Sequence, residues 1–226
     1  VVIENISAFK GTIPVKFGSD ALGGVINITT RQNRTDYLDL SYSYGSWNKN
    51  QASLSANKLF GKDGKFNIGL EGFKNYSDNN YWMDNVTVSA DDLGNTKRGR
   101  ARRFNDTFSS ELVRVTVEAR DLKLADKLTL ITSYSNVFRE WQHDVFATRA
   151  WGRPEEDEES LSSFISWDKA YASNRLITKI TAGVVRNEMQ FIDTASFRFL
   201  WDQTAIPNTG GAGESGNFSN GTTPTT

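Results

Sequence analysis

Hydrophobic and polar residues alternate with a period of two along most of this chain, which is the pattern of half-buried β-strands. The clearest example sets Leu38, Leu40, Tyr42 and Tyr44 on one face against Asp39, Ser41 and Ser43 on the other. Further segments of this kind lie at 52–56, 65–77, 106–120, 127–142, 174–191 and 195–202. The sequence therefore predicts about seven strands and a mainly β fold.

The segment 110–126 allows a second interpretation, because its Glu, Leu and Arg residues favour helices. Its valines nevertheless fall at every second position, at Val113, Val115 and Val117, and β-branched residues with this spacing favour a strand. We therefore predict a strand here.

The predicted connections alternate between short and long. Gly61–Gly64 and Asp121–Asp126 are short, whereas 78–105, 143–173 and 203–226 are long and polar; the short connection from Gly45 to Asn50 is the exception. Transmembrane antiparallel β-barrels have short turns on one side of the membrane and long loops on the other. The pattern favours such a barrel, and a soluble β-sandwich with irregular loops is the alternative.

Composition is compatible with a barrel. The chain contains no run of about 18 apolar residues, the length of a transmembrane helix, whereas a barrel strand needs only about ten alternating residues. Six Trp residues and an aromatic content of 12% provide anchors for membrane boundaries. The aromatic residues near predicted strand ends are Tyr37, Trp47, Phe60, Tyr76, Trp141 and Trp201.

Candidate chemistry is sparse. The single histidine, His143, has no second His or Cys to share a metal, so we expect an ordinary loop residue. The acidic run 155–159 lacks the spacing of a calcium loop, and both it and the basic run 97–103 are expected to be solvated loops. A net charge of −1 gives no general attraction for nucleic acid. We expect no catalytic residue, no cofactor, no bound metal and no enzymatic activity.

The first thirty residues have a different character. Gly11 and Gly18 permit positive φ, and Pro14 fixes its own φ, so compact turns between them have a low conformational energy cost. Gly23 and Gly24 precede a short β-branched run, which predicts a close backbone approach before a buried strand.

This glycine-punctuated run resembles the C-terminal end of the plug domain of TonB-dependent outer-membrane receptors. Ser7 and Thr12 depart from the family pattern, because many members have Glu and Pro there. The motif positions present in this chain are Lys10, Gly11, Pro14, Phe17, Gly18, Ala21, Gly23, Gly24 and Asn27, with Ile3, Glu4, Val25, Ile26 and Ile28 also matching the pattern.

The resemblance implies that 1–33 is the end of a plug domain and that 34–226 is the N-terminal portion of a transmembrane barrel. Such receptors are plugged barrels of about 22 strands, and Val1 is not the start of a signal peptide, so we expect the chain to be part of a longer one.

The resemblance also implies a function, the energy-coupled import of a scarce nutrient, most often a ferric siderophore or another iron complex. The implied partners are the inner-membrane TonB complex, reached through a further N-terminal segment, outer-membrane lipids and the nutrient itself, with no nucleic acid. The implied location is the outer membrane of a Gram-negative type of cell. Tyr81, Trp82 and Trp151, on the predicted long loops, and Trp141, near a predicted strand end, are the expected ligand contacts. The alternative is a soluble or surface β-rich binding or adhesion domain.

Overall fold

The fold is mainly β and antiparallel, as the sequence predicts. The computed structural model describes residues 3–10, 23–30, 35–90, 96–144, 146–147, 149–171, 176–207, 213–215 and 223–225. Its strands are β1 Ile3–Lys10, β2 Gly24–Thr30, β3 Tyr37–Gly45, β4 Lys49–Phe60, β5 Phe66–Ser77, β6 Trp82–Ala90, β7 Thr96–Arg102, β8 Phe108–Arg120, β9 Lys127–Glu140, β10 Glu155–Tyr171, β11 Leu176–Ile192, β12 Phe197–Phe199, β13 Ala205–Pro207 and β14 Thr223–Thr225.

One large sheet dominates the described residues. Its strand order is β14-β11-β10-β9-β8-β5-β4-β3, so β3 and β14 are its edges. Neighbouring long strands pair antiparallel over nearly their whole length, and the pairing between β10 and β11 runs without a break from Glu155–Ile192 to Tyr171–Leu176. The register of the sheet is therefore continuous across seven long strands.

The two ends of this sheet differ. At one end, here called the turn end, 61–65 and 121–126 form short connections, the first containing a 3-10 turn at Lys62–Gly64. At the other end, here called the loop end, 78–107, 141–154 and the segment after Ile192 are long and include the β6–β7 and β12–β13 hairpins. The β3–β4 connection at the loop end is short, and its Trp47 and Asn48 both have positive φ, as the centre of a tight hairpin turn requires.

Two predictions about the strands are wrong. The range 143–173 is not one long loop, because β10 occupies Glu155–Tyr171, and the acidic run therefore begins a strand. The range 195–202 is not a strand of the large sheet, since only Phe197–Phe199 is extended there and it pairs with β13. The predicted strand over 110–126 is confirmed by β8 as far as Arg120.

The described ends of the N-terminal motif belong to a separate antiparallel pair of strands, β1 and β2. Lys10 pairs with Gly24, and Asn27 pairs with Ser7. A Cβ at Gly24 would lie 2.7 Å from the Phe9 carbonyl oxygen, so the close backbone approach expected at the Gly-Gly pair occurs at its second residue. The motif positions Gly11, Pro14, Phe17, Gly18 and Ala21 lie outside the described residues.

Among the described residues, no helix is long and apolar enough to cross a membrane.

Candidate functional site

On its central strands the large sheet has most of its exposed apolar side chains on one face. On β8, Val113, Val115 and Val117 are exposed, with 51%, 38% and 39% of their surface accessible, whereas Arg114 and Thr116 between them are half-buried. The buried polar residues of the long strands lie on the same face as Arg114 and are Asn57, Ser77, Ser110, Glu118 and Glu156. We call the two sides the apolar face and the polar face. This arrangement is the reverse of a water-soluble sheet.

The apolar face carries a band that crosses all seven long strands. On β3 it comprises Leu38, Leu40, Tyr42 and Tyr44, and on β11 it comprises Leu176, Ile180, Ala182 and Val184. On the strands between them it comprises Ala52, Leu54, Ala56, Phe66, Ile68, Leu70, Val113, Val115, Val117, Leu128, Leu130, Tyr134, Leu161, Ile165 and Trp167.

The band is inclined to the hydrogen-bonded rows of the sheet. Following the pairing from Ser41, at the centre of the band on β3, leads across the sheet to Asn187 on β11. The centre of the band on β11 is Ile180, seven positions before Asn187. Seven residues are about 23 Å along a strand and six strand spacings are about 29 Å, so the band is inclined by about 40°.

Charged pairs border the band at both ends of the strands. Towards the loop end, Lys74 Nζ lies 2.9 Å from Glu111 Oε2, and Arg186 pairs with Glu188. At the turn end, Lys169 Nζ lies 2.7 Å from Asp126 Oδ1. Since Asp126 also accepts the Ala170 backbone N–H, these two hydrogen bonds hold the pKa of its carboxyl below the usual range. The band is thus apolar in its middle and charged at its borders.

Aromatic residues also stand near both borders. Towards the loop end the apolar face carries Tyr42, Tyr44, Tyr76 and Tyr134, and towards the turn end it carries Phe60, Phe66, Trp167 and Tyr171. The Trp167 indole N–H donates to the Leu124 carbonyl at 3.0 Å in the turn below it. Of the six aromatic residues expected at membrane boundaries, Phe60 and Tyr76 lie on this face.

The polar face satisfies its charges internally. Lys127 Nζ lies 2.9 Å from Glu118 Oε2, and Arg139 Nη2 lies 3.4 Å from Glu156 Oε1. Hydroxyl pairs such as Ser133 and Ser162, 2.7 Å apart, occupy positions between these ion pairs. On the central strands the polar face is therefore largely half-buried and hydrogen-bonded, although it also carries exposed apolar side chains such as Phe73, Phe164 and Val185.

The connections at the loop end pack into a small core of their own, here called the loop cap. Its buried centre comprises Val86 and Ala101 from the β6–β7 hairpin, Ala150 from the β9–β10 connection and Trp201 from the segment after β12. Met83, Val88, Phe104 and Ala147 pack around it. Three connections that are distant in sequence thus form one unit.

Buried polar side chains join the connections of the loop cap. Gln142, 1% exposed, accepts the Asn105 and Phe104 backbone N–H groups and donates to the Trp151 carbonyl at 3.0 Å. Glu214 accepts the Gly152 and Arg153 N–H groups, both at 2.8 Å. Burial raises the pKa of Glu214, although its backbone donors act in the opposite direction.

Asp193 belongs to the same hydrogen-bond network, because it binds the backbone of Glu214. It is fully buried and accepts the Glu214 N–H at 2.7 Å and both the N–H and the hydroxyl of Ser215, at 2.8 and 2.6 Å. The described part of the segment after β11 is therefore held by two carboxylates.

An ion pair supports the β6–β7 hairpin where it returns to β8. Arg103 Nη2 lies 2.6 Å from Asp106 Oδ1, and both side chains are largely buried. Burial raises the pKa of Asp106 to about 6, because it outweighs the opposing effect of Arg103, and Glu140 adds to the rise.

A cavity of about 160 Å³ lies in the loop cap. Its lining includes Trp151, Phe199 and Trp201, together with Arg149 and Glu214. The Trp201 indole N–H is buried and has no hydrogen-bond partner in the part of the chain that is described. The cavity therefore has aromatic walls and both basic and acidic side chains in its lining.

The four expected ligand contacts have different surroundings. Trp151 lines the cavity, and Trp82 is 54% exposed beneath the Arg100 guanidinium. Tyr81 contacts Trp47 and the Arg103 guanidinium, and the Trp141 indole N–H donates to Glu156 at 3.1 Å. Only Trp151 of these four lines the cavity.

Other sequence candidates are largely engaged in local contacts. Arg102 donates to the Asn80 carbonyl, and Arg103 belongs to the ion pair above, so the basic run is in part structural. The His143 ring lies 5.7 Å from the Trp201 ring in the loop cap. Among the described residues, no group of three or more His, Cys, Asp or Glu side chains is placed to hold a metal ion.

Sequence reasoning did not select Arg149, Asp193, Gln142 or Glu214, and it assigned Trp201 to a membrane boundary. Trp201 is 2% exposed and lies in the loop cap instead. Gln142 and Trp201 fall at the ends of predicted strands and the other three outside them, and these residues meet partners as many as 62 positions away, so no local signal marks them.

Comparison of the chain with protein-family models, with curated proteins and with solved structures gave no match.

Proposed function

We propose that this chain is part of a TonB-dependent outer-membrane receptor that imports a scarce nutrient, with a ferric siderophore or another iron complex as the leading cargo class. The inclined apolar band is the observation that carries the membrane part of this proposal. The N-terminal motif, Lys10 to Ile28, is what suggests this receptor class among outer-membrane barrels.

The inclination supports a barrel wall. Strands of transmembrane barrels are tilted by about 35–45° to the barrel axis, so a bilayer crosses successive strands at shifted positions. An inclination of about 40° relative to the hydrogen-bonded rows is what that tilt produces. A flat soluble sheet has no reason to displace its apolar residues along the strands between one edge of the sheet and the other.

The two faces support the same proposal. Lipid would cover the apolar face, and the aromatic residues near the borders would lie at the headgroup level, where amphipathic rings are favoured. The polar face would line the interior and meet the plug. Further strands would pair with β3 at one edge of the sheet and with the part of β11 that β14 does not cover at the other, so that no strand edge faces lipid.

The loop end provides the outer surface in this proposal. Long loops of outer-membrane barrels lie outside the cell, so the loop cap would face the nutrient and the turn end would face the periplasm. The plug would be rearranged by energy from the inner-membrane TonB complex. In this proposal no step requires a catalytic residue.

Uptake by cells tests this function. The gene that contains this chain is expressed in a strain lacking its own receptors, and uptake of labelled ferric siderophores, haem and cobalamin is measured with and without a functional TonB complex. Uptake that requires both the gene and TonB supports the proposal. A product that enters the outer membrane but gives no TonB-dependent uptake of any cargo contradicts the import function.

The alternative, a soluble or surface binding domain, makes a different prediction for fractionation. Such a domain remains in solution after the membranes are sedimented and shows the same gel mobility with and without heating. A barrel product sediments with outer membranes and changes mobility on heating. The exposed apolar band favours the second result, because a large contiguous apolar patch is rare on soluble monomers.

A further inference from the structure

We infer that a groove in the apolar band binds one acyl chain of a membrane lipid whose headgroup carries both a phosphate and an ammonium group, as that of phosphatidylethanolamine does. This inference deepens the proposed receptor function and rests on its membrane placement. It does not depend on the nutrient, and lipid binding is measured without transport.

The groove lies on the apolar face and crosses β3, β4, β5 and β8. Its volume is about 710 Å³, within the range of about 300–1,000 Å³ that is usual for small-molecule sites. Its walls include Leu40, Tyr42, Leu54 and Val113, all on the apolar face. The groove is therefore a depression in the surface that lipid would cover.

Two small residues create the depression. Gly72 has no side chain and Ala52 has only a methyl group, and they lie on neighbouring strands among larger residues of the band. Ser53 and Phe73 also line the groove, although alternation along the strands places their side chains on the polar face, so their backbone forms part of the floor. A flexible hydrocarbon chain gains many van der Waals contacts in such a depression.

An ion pair stands at the end of the groove nearest to the loop end. Lys74 Nζ lies 2.9 Å from Glu111 Oε2, and both residues line the groove. The Lys74 side chain is 64% exposed, and an ammonium group has three N–H donors, so it can also bind a headgroup phosphate. Glu111 would accept a hydrogen bond from a headgroup ammonium. Glu159 follows Glu111 in the same row of the apolar face, and this second carboxylate disfavours a headgroup that is only anionic.

The groove is directed along the path expected of an acyl chain. From Lys74 to Leu54, which adjoins the centre of the band, it crosses one strand spacing and descends two residues towards the turn end. These steps are about 5 Å and about 7 Å, so this line is inclined by about 35° to the strands. A perpendicular to the inclined band makes about 40° with the strands in the same direction. The groove therefore crosses the band almost at right angles, as a lipid chain crosses its leaflet.

Nuclear magnetic resonance of leucine methyl groups tests the inference on the full-length product of the gene in detergent micelles. The Leu54 signals are identified by their loss in Leu54→Met. Titration with dimyristoyl phosphatidylethanolamine should shift these signals saturably. Dimyristoyl phosphatidylglycerol, which has the same chains and an anionic headgroup, should bind at least about tenfold more weakly.

Two matched alanine variants locate the acyl chain. Ala52→Leu should weaken binding of the phosphatidylethanolamine at least about tenfold, because the new side chain fills the floor of the groove. Ala182→Leu makes the same change at an exposed alanine of the apolar face on β11 that does not line the groove. It should alter the affinity less than about twofold.

Two matched lysine variants locate the headgroup. Lys74→Gln should weaken binding about fivefold, because one cation beside a lipid phosphate is lost. Lys58→Gln is the control, since Lys58 is also exposed and paired with a carboxylate, Asp36, but lies towards the turn end of β4 and outside the groove. Unchanged signals of the other leucines show that the variants remain folded.

Several results would overturn the inference. They are the absence of a saturable Leu54 shift in the unmodified protein, equal binding of the two lipids, and equal losses in a variant and its control. A Leu54 shift that follows the protein concentration instead of the lipid concentration would place a second copy of the chain on the groove and would also overturn it. Saturable lipid binding without TonB-dependent uptake supports the lipid groove and removes the import function. Uptake without saturable lipid binding removes this inference alone.

Discussion

Glycines in the central strands differ in how closely neighbouring groups approach their backbone. Gly183 on β11 pairs with Phe164 on β10, and a Cβ at Gly183 would overlap the Phe164 ring. Gly69 on β5 is less restricted, since a Cβ there would meet its nearest neighbours at an ordinary 3.6 Å. The Phe164 ring therefore covers the glycine of the facing strand, an arrangement that protects an otherwise weak position in a sheet.

We expect Gly183→Ala to lower the free energy of unfolding by about 1–3 kcal/mol, because the Phe164 ring must leave its position. Gly69→Ala is the control and should change it by less than about 1 kcal/mol. Urea unfolding in detergent, followed by the fraction that keeps its folded gel mobility, measures both variants. Equal effects of the two substitutions would contradict the assigned packing of Phe164.

Asp106 makes a pH-dependent contribution at the base of the β6–β7 hairpin. Its pKa is about 6 in the folded chain and about 4 in an unfolded one, so between these values the folded state holds more protons. The contribution to stability is therefore fully present below about pH 4 and is lost as pH rises through about 6.

Asp106→Asn should remove this dependence. Between pH 4 and pH 7 the protein with Asp106 should lose about 2–3 kcal/mol of unfolding free energy relative to the Asp106→Asn variant. Unfolding midpoints measured across this range provide the comparison. Parallel pH profiles would show that Asp106 ionises with an ordinary pKa.

Neither the burial of Asp106 nor its pairing with Arg103 was predicted from the sequence, since both depend on how the hairpin returns to β8.

At the scale of elements, the alternation of apolar and polar residues predicted six of the seven long strands and missed β10. The reason lies in both faces of that strand. Its first five residues are acidic, and beyond them apolar residues occur on both sides, with Leu161 and Ile165 on the apolar face and Phe164 on the polar face. Phe164 is accommodated there by Gly183 of the neighbouring strand. Prediction from the alternation within a single segment cannot take account of a glycine on the neighbouring strand.

The loop cap is an element-level structure that depends on Gln142. Gln142→Met removes the acceptor for two backbone N–H groups and the donor to Trp151, so the 82–102 hairpin and the 141–154 connection should separate. We expect trypsin to cut at Arg149 at least tenfold faster, while heat-modifiable mobility of the large sheet is kept.

Gln190→Met is the matched control for this experiment. Gln190 is exposed on β11 and lies outside the loop cap, so the same substitution there should leave the rate of cleavage at Arg149 within twofold. Equal acceleration in both variants would mean that Gln142 does not join the connections. The sequence predicted long loops here but not that they pack against one another, because Gln142 and Asn105 are 37 positions apart.

At the scale of the whole molecule, the strand pattern predicts a two-faced sheet, but the inclination of the apolar band appears only when the registers of six strand pairs are combined. Each strand alone shows an apolar stretch of similar length. The shift between Ser41 and its register equivalent Asn187 depends on every intervening pairing. A one-residue error in any pair would reverse the faces beyond it.

The inclined band makes a depth prediction that the absence of native cysteine allows to be tested by single labels. Spin labels at Leu40→Cys, Val115→Cys and Ile180→Cys should lie at similar depth near the middle of the bilayer, where oxygen is most accessible and a water-soluble nickel reagent least. Arg186→Cys should lie near a headgroup border, although Arg186 is the register equivalent of Leu40.

The control for the two faces is Thr116→Cys, next to Val115 but on the polar face, whose label should be shielded from lipid. If the bilayer instead followed the hydrogen-bonded rows, Arg186→Cys would report the same depth as Leu40→Cys, and Ile180→Cys would lie about 20 Å away along the strand. Because tilt and register together determine which residues share a depth, similar depths at 40, 115 and 180 require strands inclined to the membrane normal, by about 35° for the pair 40 and 180, which differ by about 20 Å along the strand over about 29 Å across it. Water accessibility at all three positions would exclude the membrane placement altogether.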